Sequence, residues 1–311
     1  MRLGTRGSAL ALVQAEAVEA ALRAAHPGLP IERVIIRTTG DRRTDVALSQ
    51  VAKAEGVFDK GVFIKELEQA LADGVIDLAV HSLKDLPTVV DPRFSLAAVL
   101  ERAPVADVLI SRDGWRLAEV PAGAVVGTSS VRRARQVSHL RPDLRVEDLR
   151  GNVPTRLEKL RDRKGCDVIL LAEAGLVRLG YLTGRAPGGT VVPLDRIEGL
   201  HGVALAEEDM FPAAGQGAVG IEIRADDEAV AAVVAGVNHA PTWARVSAER
   251  EFLRLLGAGC HTPVGVVSGL QDGILSLQAR VFPEGTGPPR TGSAAGSDPL
   301  AVAGELHRNL I

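Results

Sequence analysis

Apolar and polar positions along the chain follow two rhythms, short apolar runs and longer stretches with helical spacing. "RLGTR" predicts a strand that turns at Gly7-Ser8 into a helix with Leu10, Val13, Ala17 and Ala20 on one face, ended by "HPG". A strand in "IERVIIRTTG", a helix in "FIKELEQALADG" and a strand in "DLAVHSLKDLP" follow. The middle repeats this grammar. "GAVVGTSSVRRARQV", "VEDLRGNVPTRLEKL" and "CDVILLAEAGLVRLG" each run strand, turn, helix, with Asn152 as an N-cap and Pro154 in a first turn. Such alternation predicts an α/β protein with mostly parallel sheets covered on both faces, and ligands bind beyond the carboxyl ends of such strands.

"GQGAVGIEIR" reads as a segment crossing between domains, its glycines allowing close backbone approach. Two helices, "DEAVAAVVAGV" and "TWARVSAEREFLRLL", come next. Then follow two strands, "VGVVSGL" and "ILSLQARVF", a Gly/Pro/Ser-rich loop around 283–299 and a closing helix, together a small α+β domain. No repeat of solenoid length interrupts the order.

Composition narrows the classes. The 311 residues suffice for two or three domains, and 46% hydrophobic with 24% charged residues is ordinary for a soluble globular chain. A net charge of -3 argues against general nucleic-acid binding, which needs a positive excess to displace counterions. No apolar run has membrane-spanning length and "MRLGTRGSAL" is no signal peptide, so a cytoplasmic protein is expected. Two cysteines cannot build a disulfide framework, and no His/Cys/Asp spacing fits a metal site.

The basic residues comprise six lysines and 30 arginines. Arginine recurs at the strand–helix turns, at Arg6, Arg132, Arg133, Arg150, Arg156 and near Arg178. These guanidinium groups are either solvated and paired with carboxylates, or, with Thr128, Ser129 and Ser130 at a helix start, a cradle for several carboxylates or phosphates. Lys84 and Asp85 after their strand are either a loop ion pair or a cleft carboxylate able to stabilise a cation or move a proton. His81 reads as structural, and so does Cys166 before "DVILLA". Cys260 differs. In "LGAGCHTPVG" its small neighbours would let something bulky approach the sulfur.

"GTRGSALAL", "KGVFIKELE", "DLAVHSLKDLPT", "VGTSSVRR", "LRGNVPTRL", "ILLAEAGLVRLG", "GQGAVGIE" and "AEREFLRLLGAGCHTPVG" arrive in one order over residues 2 to 268. Together they resemble the porphobilinogen deaminase family. The resemblance implies two doubly wound α/β lobes like those of two-lobed anion-binding proteins, plus a small α+β C-terminal domain. It also implies domains at 1–99 with 213–236, at 100–212 and at 237–311. In the family the cysteine matching Cys260 holds a dipyrromethane cofactor through a thioether. Porphobilinogen units add to this primer stepwise with loss of ammonia until hydroxymethylbilane, a linear tetrapyrrole, is hydrolysed off.

By the same resemblance Asp85 is the catalytic aspartate, opposite a cationic azafulvene formed as ammonia leaves. Lys84, Arg132, Arg133, Ser130 and Asp85 would hold the cofactor with Cys260. Arg6, Ser8, Thr128, Ser129, Arg150, Arg156 and Arg178 would hold the polyanionic substrate chain. No metal, nucleic acid or membrane is implied, and the protein is expected to be a monomer. A non-catalytic anion-binding protein of this fold would account for the arginines but not for the cysteine. A nucleotide-binding dehydrogenase would need a G-x-G-x-x-G turn that "GTRGSA" lacks.

Overall fold

A computed structural model describes residues 1–38, 64–183, 188–257, 262–283, 285 and 287–310. Cys260 lies outside the described residues, as do His261 and the start of the "KGVFIKELE" motif.

The first sheet grows from the N-terminal strand β1 (Arg2–Arg6), whose helix α1 (Ala9–Ala25) is capped by Ser8. Strand β2 (Glu32–Ile36), helix α2 (Lys65–Ala72), strand β3 (Leu78–Ser82) and strand β4 (Phe94–Val99) follow. The buried face of α1 is Ala11, Gln14, Ala15, Val18, Glu19 and Leu22, not the face through Leu10, Val13, Ala17 and Ala20 that the apolar spacing suggested. Alanine is a poor marker of burial in a helix, and Gln14 is drawn inward by hydrogen bonds with the Ser82 hydroxyl.

The second sheet contains β5 (Asp107–Ser111), β6 (Val125–Gly127), β7 (Arg145–Glu147), β8 (Val168–Ala172), β9 (Val191–Pro193) and β10 (His201–Ala204). Its helices are α3 (Val131–Leu140), α4 (Val153–Arg161) and α5 (Glu173–Arg178). The chain then returns to the first sheet as β11 (Val219–Arg224), giving the order β2-β1-β3-β11-β4 beside β7-β6-β8-β5-β10-β9. Helices α6 (Glu228–Ala235) and α7 (Ala240–Leu255) lead to a meander of β12 (Val264–Gln271), β13 (Ile274–Val281) and β14 (Arg290–Gly296), closed by α8 (Pro299–Leu310).

The sheets are mixed rather than mostly parallel. β1 runs parallel to β2 and β3, and β6 parallel to β7 and β8. β11 is antiparallel to both neighbours, and β5 to β8 and β10. The reason lies in what an apolar run reports. Val108 and Ile110 of β5 enter one core with Ile169 and Leu171 of β8, while Leu109 enters another with Val168 and Leu170. Both faces are covered whichever way the strand runs. Part of the expected 283–299 loop is also strand. β14 pairs with β13 along its length, and its small residues let Leu310 and Leu306 close over Gly292.

Candidate active site

The strand exits converge where the lobes meet. β3 ends in a tight turn, Leu83–Asp85, that carries Lys84 and Asp85. Opposite it, β6 leads through Thr128 and Ser129 to Ser130, whose hydroxyl accepts the Arg133 N–H and caps α3. The returning segment lies against the first turn. Gly215 adopts φ 70°, and a Cβ there would stand 3.2 Å from the Lys84 nitrogen. Gly217 adopts φ 84°, with the Ala103 carbonyl 2.5 Å from where a Cβ would be. Only glycine fits both conditions.

Arg132 and Arg133 do not stand open. Both are buried against Asp107, with Arg132 Nη1 2.7 Å from Oδ2 and Arg133 Nη2 2.7 Å from Oδ1. Arg132 also donates to the Phe211 carbonyl at 2.5 Å, and Arg133 to that of Leu170 at 3.0 Å. Burial alone would raise the Asp107 carboxyl, but the two guanidinium charges win and hold it well below the usual carboxylate range. Burial pushes Arg132 down against the attraction of Asp107. One buried carboxylate between two arginines leaves a net positive charge, and Arg132 Nε has no protein partner among the described residues.

Lys84 keeps some solvent contact yet is surrounded by protein, as at the floor of a cleft. Burial lowers its ammonium to about 8; Asp85 and Asp107 pull it up, Arg133 and Arg132 push it down. Arg156 falls to about 10, by burial first and then by Arg133 and Arg150, with Asp148 and Asp85 opposing. Those interactions place Lys84, Asp85, Arg132, Arg133, Arg150 and Arg156 in one electrostatic neighbourhood. Among the described residues, five cations there face three carboxylates (Asp85, Asp107 and Asp148).

The remaining expected residues fall into two groups. Arg156 Nε donates to the Gly151 carbonyl at 2.7 Å and Arg150 Nε to Asp148 at 3.2 Å, so each is oriented by its own turn. Arg178, lowered to about 10 by burial, donates to the Gly217 carbonyl at 2.8 Å and so holds the returning segment. Thr128 accepts from the Ser130 N–H, and Ser8 from the Ala11 N–H, so each hydroxyl proton is left to donate. The Ser129 hydroxyl donates to the Leu149 carbonyl at 2.6 Å. Arg6 stands at the β1–α1 turn, half-buried. His81 is buried with Glu222 at 2.9 Å, and Cys166 is buried with its thiol pushed up by that burial.

Residues 1–232 match the family model described as porphobilinogen deaminase, dipyromethane cofactor binding domain, and residues 243–287 match that of the porphobilinogen deaminase C-terminal domain. The chain belongs to the porphobilinogen deaminase family. It is 44% identical to the porphobilinogen deaminase of Moorella thermoacetica over all of this chain and 93% of that protein. It is 49% identical to that of Desulforudis audaxviator over 90% of this chain and 83% of that protein. A VFT2 domain of BvgS from Bordetella pertussis is similar at a TM-score of 0.45 and 11% identity, covering 80% of this chain and 92% of that one.

A porphobilinogen deaminase is an enzyme of tetrapyrrole synthesis, and its family domain binds dipyrromethane. The residues present fit such a group. A cleft lined by several guanidinium groups, with a buried Arg132 Nε that has no partner among the described residues, is suited to several carboxylates. Sequence reasoning missed Asp107, Gln216 and Glu249, which hold these cations and the returning segment in place. A carboxylate at the head of the apolar run "DVLI" was the one visible signal for Asp107.

Proposed function

We propose that this member of the porphobilinogen deaminase family is a transferase, a hydroxymethylbilane synthase, with a dipyrromethane primer carried on Cys260 through a thioether. The observation that carries the reading is the placing of Asp85, from the first lobe, in the field of Lys84, Arg133 and Arg156, two of which come from the second. When bound, the dipyrromethane would supply the terminal pyrrole carbon to which the first porphobilinogen is joined as ammonia is lost, each later unit joining the newest ring of the chain. Asp85 holds positive charge on pyrrole nitrogen and takes up the proton released at carbon. Lys84, Arg132, Arg133, Arg150 and Arg156 neutralise acetate and propionate arms, with Ser130 and Thr128 donating beside them. Arg6 and Ser8 extend the cradle along the β1–α1 turn, and Arg178 orders the segment between the lobes.

A monomer is proposed as the working form. No described helix is long and apolar enough to cross a membrane; with the sequence reading, a cytoplasmic site of action is proposed. Intact-mass measurement tests the function. Protein from a host that makes porphobilinogen should carry the mass of one dipyrromethane, and Cys260→Ser should not. An unmodified wild-type chain that also fails to consume porphobilinogen after loading with preassembled primer would overturn it.

A further inference from the structure

Arg250 lies on α7, far along the chain from the cleft turn, yet its Nη1 donates to the Leu86 carbonyl at 3.0 Å and its Nη2 to the Pro87 carbonyl at 2.6 Å. Those carbonyls directly follow Asp85. Pro87 has no N–H and ends regular structure, so the segment cannot be held by strand or helix pairing there. A planar guanidinium can bridge two successive carbonyls; an ammonium, a single point donor, cannot do so with the same geometry.

The neighbouring residue grips from the other side. Glu249 accepts the Gly215 N–H at 2.7 Å and pairs with Arg102 at 2.5 Å, and Arg102 donates to the Gln216 carbonyl at 2.8 Å. Gly215 in turn rests on Leu83 and Lys84. Adjacent residues of α7 thus hold both flanks of the Lys84–Asp85 turn. The same helix ends at Leu255, five residues before Cys260.

Arg250 has no ion-pair partner within contact distance among the described residues. Burial lowers its guanidinium to about 10, with the charge of Glu222 opposing. It therefore stays charged at neutral pH, bound to carbonyls rather than to a carboxylate. Such an arrangement is poor value as a stabilising device and well suited to fixing a backbone.

We propose that Arg250 is a positioning residue that sets the distance and orientation of Asp85 relative to the helix delivering Cys260, through the paired Leu86 and Pro87 carbonyls. This rests on the function proposed above. The test compares wild type, Arg250→Lys and Arg250→Ala as purified holoenzymes. Intact mass reads primer loading and the ladder of enzyme-bound intermediates, steady-state assay reads kcat and KM, and thermal melting reads stability. Loading should persist in both variants. kcat should fall about 10-fold in Arg250→Lys and roughly 100-fold in Arg250→Ala, as expected when a reacting group is displaced by about 1 Å. KM should change little, and the ladder should shift toward early intermediates. Added guanidinium should restore part of the Arg250→Ala turnover.

If both variants turn over like wild type, the positioning role fails. It fails equally if activity drops only in proportion to folded protein, with an unaltered ladder and no guanidinium rescue. Should Arg250→Ala not fold, Arg250→Lys decides by the same ladder and kcat criteria. A wild type without primer or turnover would instead sink the functional reading and this inference with it.

Discussion

At the residue scale the cleft turns on two neighbours of opposite charge. Asp85 sits among the cleft cations, but the two buried arginines, Arg132 and Arg133, are matched by Asp107 rather than by Asp85. Asp85→Asn keeps the size and removes the charge. It should lower kcat at least about 100-fold, roughly 3 kcal/mol of barrier by analogy with loss of one electrostatic stabiliser, while the melting temperature stays near that of wild type. Measured turnover within a few-fold of wild type would take Asp85 out of the mechanism. Lys84 carries a pH signature. Burial and the arginines set its ammonium at about 8, and a bound polyanion favours the protonated form. Affinity must therefore fall as pH rises through about 8 and hold steady below it. Calorimetric titration of Cys260→Ser protein with citrate from pH 6.5 to about 9 should show that fall, and Lys84→Arg should flatten it. Both residues stand out after an apolar run, but the sequence pattern alone leaves open whether they form a loop ion pair or a cleft carboxylate with its cation. The state of Arg132 and Arg133 was not legible, since nothing local to "SSVRR" reveals that Asp107, distant in sequence, lies between them.

At the scale of elements, most helices and strands of the lobes were legible because each carries its own punctuation. Asn152 caps α4 as expected, accepting from the Thr155 N–H at 3.0 Å, and Ser130 caps α3. What local pattern did not carry was strand direction and the seven-residue β14, "RTGSAAG", whose composition reads as loop and whose strand character comes from pairing with β13. The half-buried acid of α2 was also invisible from its helical spacing. Burial first, and then the charge of Glu222, raise the Glu68 carboxyl to about 7, with His81 and Arg93 pulling it down and Asp91 pushing it up. A carboxyl whose folded pKa lies above its unfolded value binds more protons when folded between those two values, so stability is lost as pH rises from about 4.5 to about 7. Glu68→Gln removes that loss. The variant should melt higher than wild type at pH 8, by about 1 kcal/mol once the full linkage value is discounted for partial solvent contact. At pH 5 the difference should shrink toward zero, and equal shifts at both pH values would show that the carboxyl's charge is not the cause.

At the scale of the whole molecule, the lobes meet where cations outnumber carboxylates among the described residues. Arg178 on the Gly217 carbonyl joins the second lobe to the returning segment, while Arg102 between Glu249 and Gln216, and Arg250 on the turn beyond Asp85, tie α7 to the first lobe. The cations of the cleft repel one another in partial shielding from water, so the shape that suits a polyanion is strained without one. A tethered anion would supply the missing counter-charge at high local concentration and stabilise the closed arrangement by its preference for the folded state. Primer-loaded wild type should therefore melt several degrees above Cys260→Ser, a gap far larger than a Cys-to-Ser change would produce alone. Mobile ions can replace part of that charge: phosphate or sulfate at about 100 mM should raise the melting temperature of Cys260→Ser more than that of the loaded protein, since screening and anion binding act where charge is uncompensated. The two proteins melting together at every salt concentration would mean that the guanidinium cluster is balanced without its ligand, and the electrostatic account of the cleft would have to be given up.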